Sequence, residues 1–259
     1  MKNKAILVVS FGTSYEETRQ KNIVSLELDI AKRFSKYRIY SAYTSSIVRK
    51  ILMKRNIQMD DVPTAMGKMA KDGIWEVIVQ PTHLLYGIEY EKLKNQIIDA
   101  SQKFKKVKLG RPLLSDIYSL KKVISIISHE IKPEKGTAIL LMGHGTSHFS
   151  NIVYPALDYI SKAEGYDHIF IGTVEGYPDL QIVISQIKKS GFKKVLLTPL
   201  MLVAGEHAVN DMASDEDDSW KTVLQKQGLQ VTCMIKGLGE YQGIRDIYFS
   251  HISEAIDKD

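Results

Sequence analysis

The chain encodes one pattern twice. Ala5–Ser14 reads AILVVSFGTS and Ala138–Ser147 reads AILLMGHGTS, with His144 where the first copy has Phe11. A longer ungapped match aligns Gly73–Tyr90 with Gly191–Ala208. It pairs Gly73 with Gly191, Val77 with Val195, Pro81 with Pro199, Leu84 with Leu202 and Gly87 with Gly205. At its end Glu89 stands opposite His207. A duplicated chain must fold from two equivalent halves, so matched loops can bring different ionisable side chains to one site.

The 259 residues suffice for two domains of ordinary size or for one large barrel. A formal net charge of +5 suits an acidic small molecule but is too diffuse for nucleic acid, and no arginine-rich arm or zinc-finger spacing accompanies it. Cys233 is the single cysteine, which excludes a disulfide framework and a cysteine-rich metal site. The apolar run at Ala5–Val9 is too short for a signal-peptide core, and no stretch approaches membrane-spanning length. The expectation is a cytoplasmic enzyme with neither nucleic acid nor membrane as partner.

Short runs rich in Val, Ile and Leu alternate with helical patterns, which predicts an α/β protein with parallel sheets buried on both faces. Strands are expected at Ala5–Val9, Arg38–Tyr43, Trp75–Gln80, Lys106–Leu109, Ala138–Met142, His168–Gly172, Lys194–Thr198 and Gln230–Ile235. Ser14 is expected to cap the first helix in a capping box with Glu17, ahead of the stripe Ile23, Leu26, Ile30 and Phe34. Ser115 should start another helix. Pro178 should lie in the first turn of one that ends just before Gly191, and Asp218 should cap one beginning near Trp220. Four strands per half fit two similar α/β domains, although eight strands with intervening helices also fit a (β/α)8 barrel. The polar segment Lys132–Gly136 places the domain boundary between 1–131 and 132–259, with the last helix, about 242–255, free to pack back on the first domain.

The paired motifs fall where parallel strands end, the usual ligand face of such sheets. His144 lies between two glycines that leave its imidazole uncovered, and His207 follows an apolar run. Two imidazoles with the carboxylate of Glu89 make a reasonable donor set for a divalent transition metal. The alternative for Gly143–Ser147 is a turn whose NH groups hold an anion. Glu175 in TVEGYP follows a strand end and is a candidate for the same site. His83 reads as a packed imidazole close to Glu89. The acidic Asp215–Asp218 reads as solvated.

Several motifs in order carry a family resemblance over nearly the whole chain. They are SFGTS at Ser10–Ser14, YGIE at Tyr86–Glu89, MGHGT at Met142–Thr146, TVEGYP, GEHAVNDM at Gly205–Met212 and DEDDSW at Asp215–Trp220. The chain resembles the anaerobic-pathway cobaltochelatases of the CbiK type, within the class II tetrapyrrole chelatases. The resemblance implies two Rossmann-like domains facing a central cleft, which disfavours the barrel. It implies insertion of Co2+ into sirohydrochlorin or precorrin-2 during cobalamin synthesis, with His144, Glu89 and His207 as catalytic and metal-binding residues. Ser10, Phe11, Thr13, Tyr86, Glu175, Met201 and Leu202 are the substrate-contact candidates. No tightly bound cofactor is expected, because Co2+ is a substrate; Fe2+, Ni2+ or Zn2+ would fit the same donors. The sequence leaves room for a homo-oligomer. The rival readings are an iron or nickel chelatase, a metal or tetrapyrrole carrier without activity, and a metallohydrolase.

Overall fold

The computed structural model describes residues 3–257. Their contacts divide the chain into two compact units. The first runs to Ser115 and takes in the chain again from Gln242, and the second is Asp116–Tyr241. The expected boundary at Lys132–Gly136 therefore falls within the second unit.

In the first unit β1 (Lys4–Ser10) leads into α1 (Glu16–Thr18), which continues through a π-helical turn at Arg19–Val24 into α2 (Ser25–Arg33). Next come β2 (Arg38–Tyr43), α3 (Ser46–Lys54), α4 (Val62–Lys71), β3 (Glu76–Pro81), α5 (Ile88–Ser101) and β4 (Lys106–Leu109). The strands form one parallel sheet in the order β2-β1-β3-β4. Ala5, Leu7 and Val9 on β1 pack with Val62, Met66 and Met69 of α4 and Leu93 and Ile97 of α5. Strand alternation turns Ile6 and Val8 to the opposite face, where they are equally buried. Both faces of β1 are covered, which is why its sequence is continuously apolar.

The second unit repeats this plan. It holds α6 (Ile117–Glu130), β5 (Thr137–Gly143), α7 (Val153–Ala163), β6 (Ile169–Thr173), α8 (Leu180–Lys189), β7 (Lys194–Pro199), α9 (Trp220–Lys226) and β8 (Gln230–Cys233). Its parallel sheet runs β6-β5-β7-β8. Ala138, Leu140 and Met142 pack with Val183, Ile184 and Ile187 of α8 and with Trp220 and Leu224 of α9. The last helix, α10 (Gln242–Asp257), belongs to the first unit, where the Tyr248 hydroxyl donates to the Thr82 carbonyl at 2.8 Å. Two separate four-stranded sheets rule out the barrel.

The expected strands are present, but four helix starts differ. Ser14 caps nothing: α1 begins after Tyr15 without a side-chain cap, and the Thr13 hydroxyl accepts the Tyr15 N–H instead. Pro178 lies before α8, whose cap is Asp179. Ser219, not Asp218, caps α9. Ser115 precedes α6, which Asp116 caps. Each observed cap has its side-chain oxygen within reach of an N–H three residues on, the geometry that satisfies a helix's first free donors.

Candidate functional site

In each sheet the first strand lies inside, and the chain leaves it to one side before crossing to the other. The loops after β5 and β7 therefore open a crevice at the strands' carboxyl ends. His144 directly follows β5, and His207 stands at the start of a π-helical turn, Ala208–Met212, after β7. Their rings meet edge to face, with centroids 4.5 Å apart and planes at 88°. Both side chains remain about two-fifths exposed.

Hydrogen bonding fixes which nitrogen each ring offers. His144 Nδ1 lies 3.0 Å from the Gly145 carbonyl, which can only accept, so this nitrogen carries the proton. His207 Nδ1 lies 2.5 Å from Asp211 Oδ2, again an acceptor. In its neutral form each ring then keeps its lone pair on Nε2, the arrangement common to metal-binding histidines held by a carbonyl or carboxylate on the far nitrogen. Asp211 was not singled out from the sequence, although its position four residues after His207 on a helical turn was a usable signal.

The loop carrying His144 is built to lie close to its neighbour. Gly145 has φ +82°, and a Cβ there would come within 2.7 Å of the Gly176 nitrogen and 2.9 Å of the Glu175 carbonyl carbon. The Glu175 N–H donates to the His144 carbonyl at 2.8 Å. Asn151 clamps the same pair of loops, accepting from Thr146 N–H and donating to the Tyr177 carbonyl. Glu175 Oε2 then stands 3.8 Å from His144 Nδ1. His148 Nδ1 accepts the Ser150 N–H and so caps its own short turn. On the Asp211 side, a cavity of about 450 Å³ is lined by Asn210, Asp211, Glu216, Asp218 and Trp220, so part of the acidic motif faces a concavity.

Glu89 lies in the first unit, in the opening turn of α5, 2.8 Å from Lys92 Nζ. Burial pushes its carboxyl up, but hydrogen bonding from Lys92 and Thr44, together with the Lys92 charge, outweighs this and holds it below the usual range. Among the described residues no three His, Cys, Asp or Glu side chains are grouped to hold a metal ion. The structure therefore assembles His144 with His207, and leaves Glu89 in the other unit. Of the substrate-contact candidates, Phe11 and Tyr86 are exposed, and Glu175 is largely so. Ser10, Thr13 and Leu202 are buried. Ser10 accepts from the Thr82 hydroxyl, tying β1 to β3. Met201 packs against the second core.

The duplication persists at the level of single hydrogen bonds. Ser45 N–H donates to the Phe11 carbonyl as Glu175 N–H does to that of His144, and Leu113 N–H donates to the His83 carbonyl as Leu238 N–H does to that of Met201. Phe11, Ser45 and Glu89 thus occupy in the first unit the places of His144, Glu175 and His207 in the second.

Two α/β units of one topology, with ligand-type side chains at a switch point, define a chelatase-like protein. SirB from Bacillus subtilis, solved with Fe3+, matches with a TM-score of 0.69 at 14% identity, covering 99% of this chain and 96% of its own. A family model described as cobalt chelatase (CbiK) matches residues 4–257, and the chain belongs to that family. The sirohydrochlorin cobaltochelatase of Salmonella typhimurium is 38% identical over 256 residues, 98% of this chain and 97% of the relative. Sirohydrochlorin cobaltochelatase CbiKC of Nitratidesulfovibrio vulgaris is 29% identical over 262 residues, 99% and 92% of the two chains.

Proposed function

We propose that this protein inserts Co2+ into sirohydrochlorin, with His144 and His207 as metal ligands and proton acceptors. The observation that carries the reading is the imidazole pair with both Nδ1 atoms engaged and both Nε2 lone pairs presented. Insertion must strip water from a divalent cation and remove two pyrrole N–H protons. Neutral imidazoles serve both needs near neutral pH. Glu175, beside His144, gives the pair a carboxylate within its own unit. Glu89, ionised and matched by the duplication to His207, is read as the carboxylate from the first unit, offsetting the cation's charge and releasing protons. Exposed Phe11 and Tyr86 offer apolar surface for a flat macrocycle. The same donors accept Fe2+, Ni2+ or Zn2+.

The test is the change in tetrapyrrole absorbance as purified protein is given sirohydrochlorin and each metal in turn. Wild type should insert Co2+. His144→Ala and His207→Ala should abolish turnover while still binding the tetrapyrrole. Asp211→Asn should lower activity about 10–100-fold by loosening the His207 ring. Normal turnover in both histidine variants would remove the pair from the reaction, and tight binding without metallation by wild type would make the protein a carrier.

A further inference from the structure

His83 is used by nothing described so far. It stands two residues beyond β3, and neither of its ring nitrogens, both buried, has a hydrogen-bond partner among the described residues. A buried polar group left so costs on the order of 1–3 kcal/mol. The fold does not demand it. Met201 fills the matching place in the second unit with the same backbone bond to its carbonyl, and packs there as an ordinary apolar side chain. A polar ring has been placed where the chain's own duplicate manages with a thioether.

The group facing it electrostatically is Glu89. That carboxylate is now turned to Lys92, an exposed partner on the same helix whose contact is worth little in water, with the Thr44 hydroxyl as a second hydrogen-bonding neighbour. We propose that His83 is a positioning residue for Glu89, its imidazole N–H taking one carboxylate oxygen when Glu89 leaves Lys92 to serve the incoming cation. A neutral ring suits this role because it donates without forming a permanent ion pair, so Glu89 keeps its charge for the metal. Burial holds the His83 pKa at about 4, which keeps the ring neutral at ordinary pH. The inference rests on the reading of Glu89 as a site residue.

The experiment is a double-mutant cycle on full-length protein, with Co2+ insertion into sirohydrochlorin and thermal unfolding as readouts. His83→Met, which copies the residue at position 201, should unfold no earlier than wild type yet lose about 10–100-fold in kcat/KM for cobalt. His83→Gln keeps an N–H donor and should recover most of that loss. In a Glu89→Ala background, His83→Met should have no further effect. Multiplying losses in the double variant, no loss in His83→Met, or a His83→Met protein that fails to fold would each overturn the proposal while leaving Glu89 in the site. Wild-type activity in Glu89→Ala would instead overturn the reading of Glu89, and this inference with it.

Discussion

A histidine with no partner for either ring nitrogen leaves a signature in stability as well as in activity. Burial lowers the His83 pKa from 6.5 to about 4. As pH falls through 6.5, the unfolded chain binds a proton at this ring while the folded chain does not until about pH 4. Between those values the unfolded state carries more protons, so stability declines with falling pH by up to about 3 kcal/mol. His83→Met removes this contribution. Urea unfolding of the two proteins should give a constant difference above about pH 7, moving in the variant's favour by about 3 kcal/mol down to about pH 4. Parallel curves would show that the ring is not held neutral. At this scale the sequence singled out His144 and His207, because glycines and the duplication mark them, and the structure brings their rings together. Asp211, four residues after His207, was detectable by that spacing, whereas the bond of His144 to the Gly145 carbonyl exists only once the loop has folded.

Among the elements, the strands were legible because a strand covered on both faces must be apolar at nearly every position, as Ala5–Val9 and Ala138–Met142 are. Helix starts were less so. Ser14 and Asp218 have suitable side chains, but the chain enters its helices one or two residues later, and capping depends on local backbone angles that composition does not encode. The loop carrying His144 offers a direct test of how element geometry serves the site. Gly145→Ala should cost about 1 kcal/mol for its left-handed backbone and more for pressing a methyl group against the backbone of Glu175 and Gly176. Gly136, with φ +81° and open space where a Cβ would stand, is a matched control that carries the backbone cost alone. Gly145→Ala should therefore unfold earlier than Gly136→Ala and lose cobalt insertion, whereas Gly136→Ala should retain it. Equal effects in thermal unfolding and activity would mean that the close approach of the two loops is dispensable.

Over the whole molecule, the duplication explains two sheets of identical order but not how the chain is shared between them. The segment Lys132–Gly136 looks like a linker because it is polar and contains Pro and Gly, yet it is only the turn between α6 and β5 of the second unit. The first unit is completed from the far end of the chain, because α10 buries Ile244, Ile247, Tyr248, Phe249 and Ile252 there. At about 2 kcal/mol for each large apolar side chain, these five contribute on the order of 10 kcal/mol. That is comparable to the whole net stability of an ordinary domain. Ending the chain at Tyr241 should therefore unfold the first unit, with amides of β1 and β3 exchanging freely with solvent. The second unit is one uninterrupted segment with its own core and should keep its amides in β5 and β7 protected. Hydrogen exchange on the truncated protein separates the two units directly. Retained protection in β1 and β3 would show that α10 decorates the first unit rather than completing it. Loss of protection in all four strands would show that the second unit depends on the first, despite having its sheet and core within a single stretch of chain.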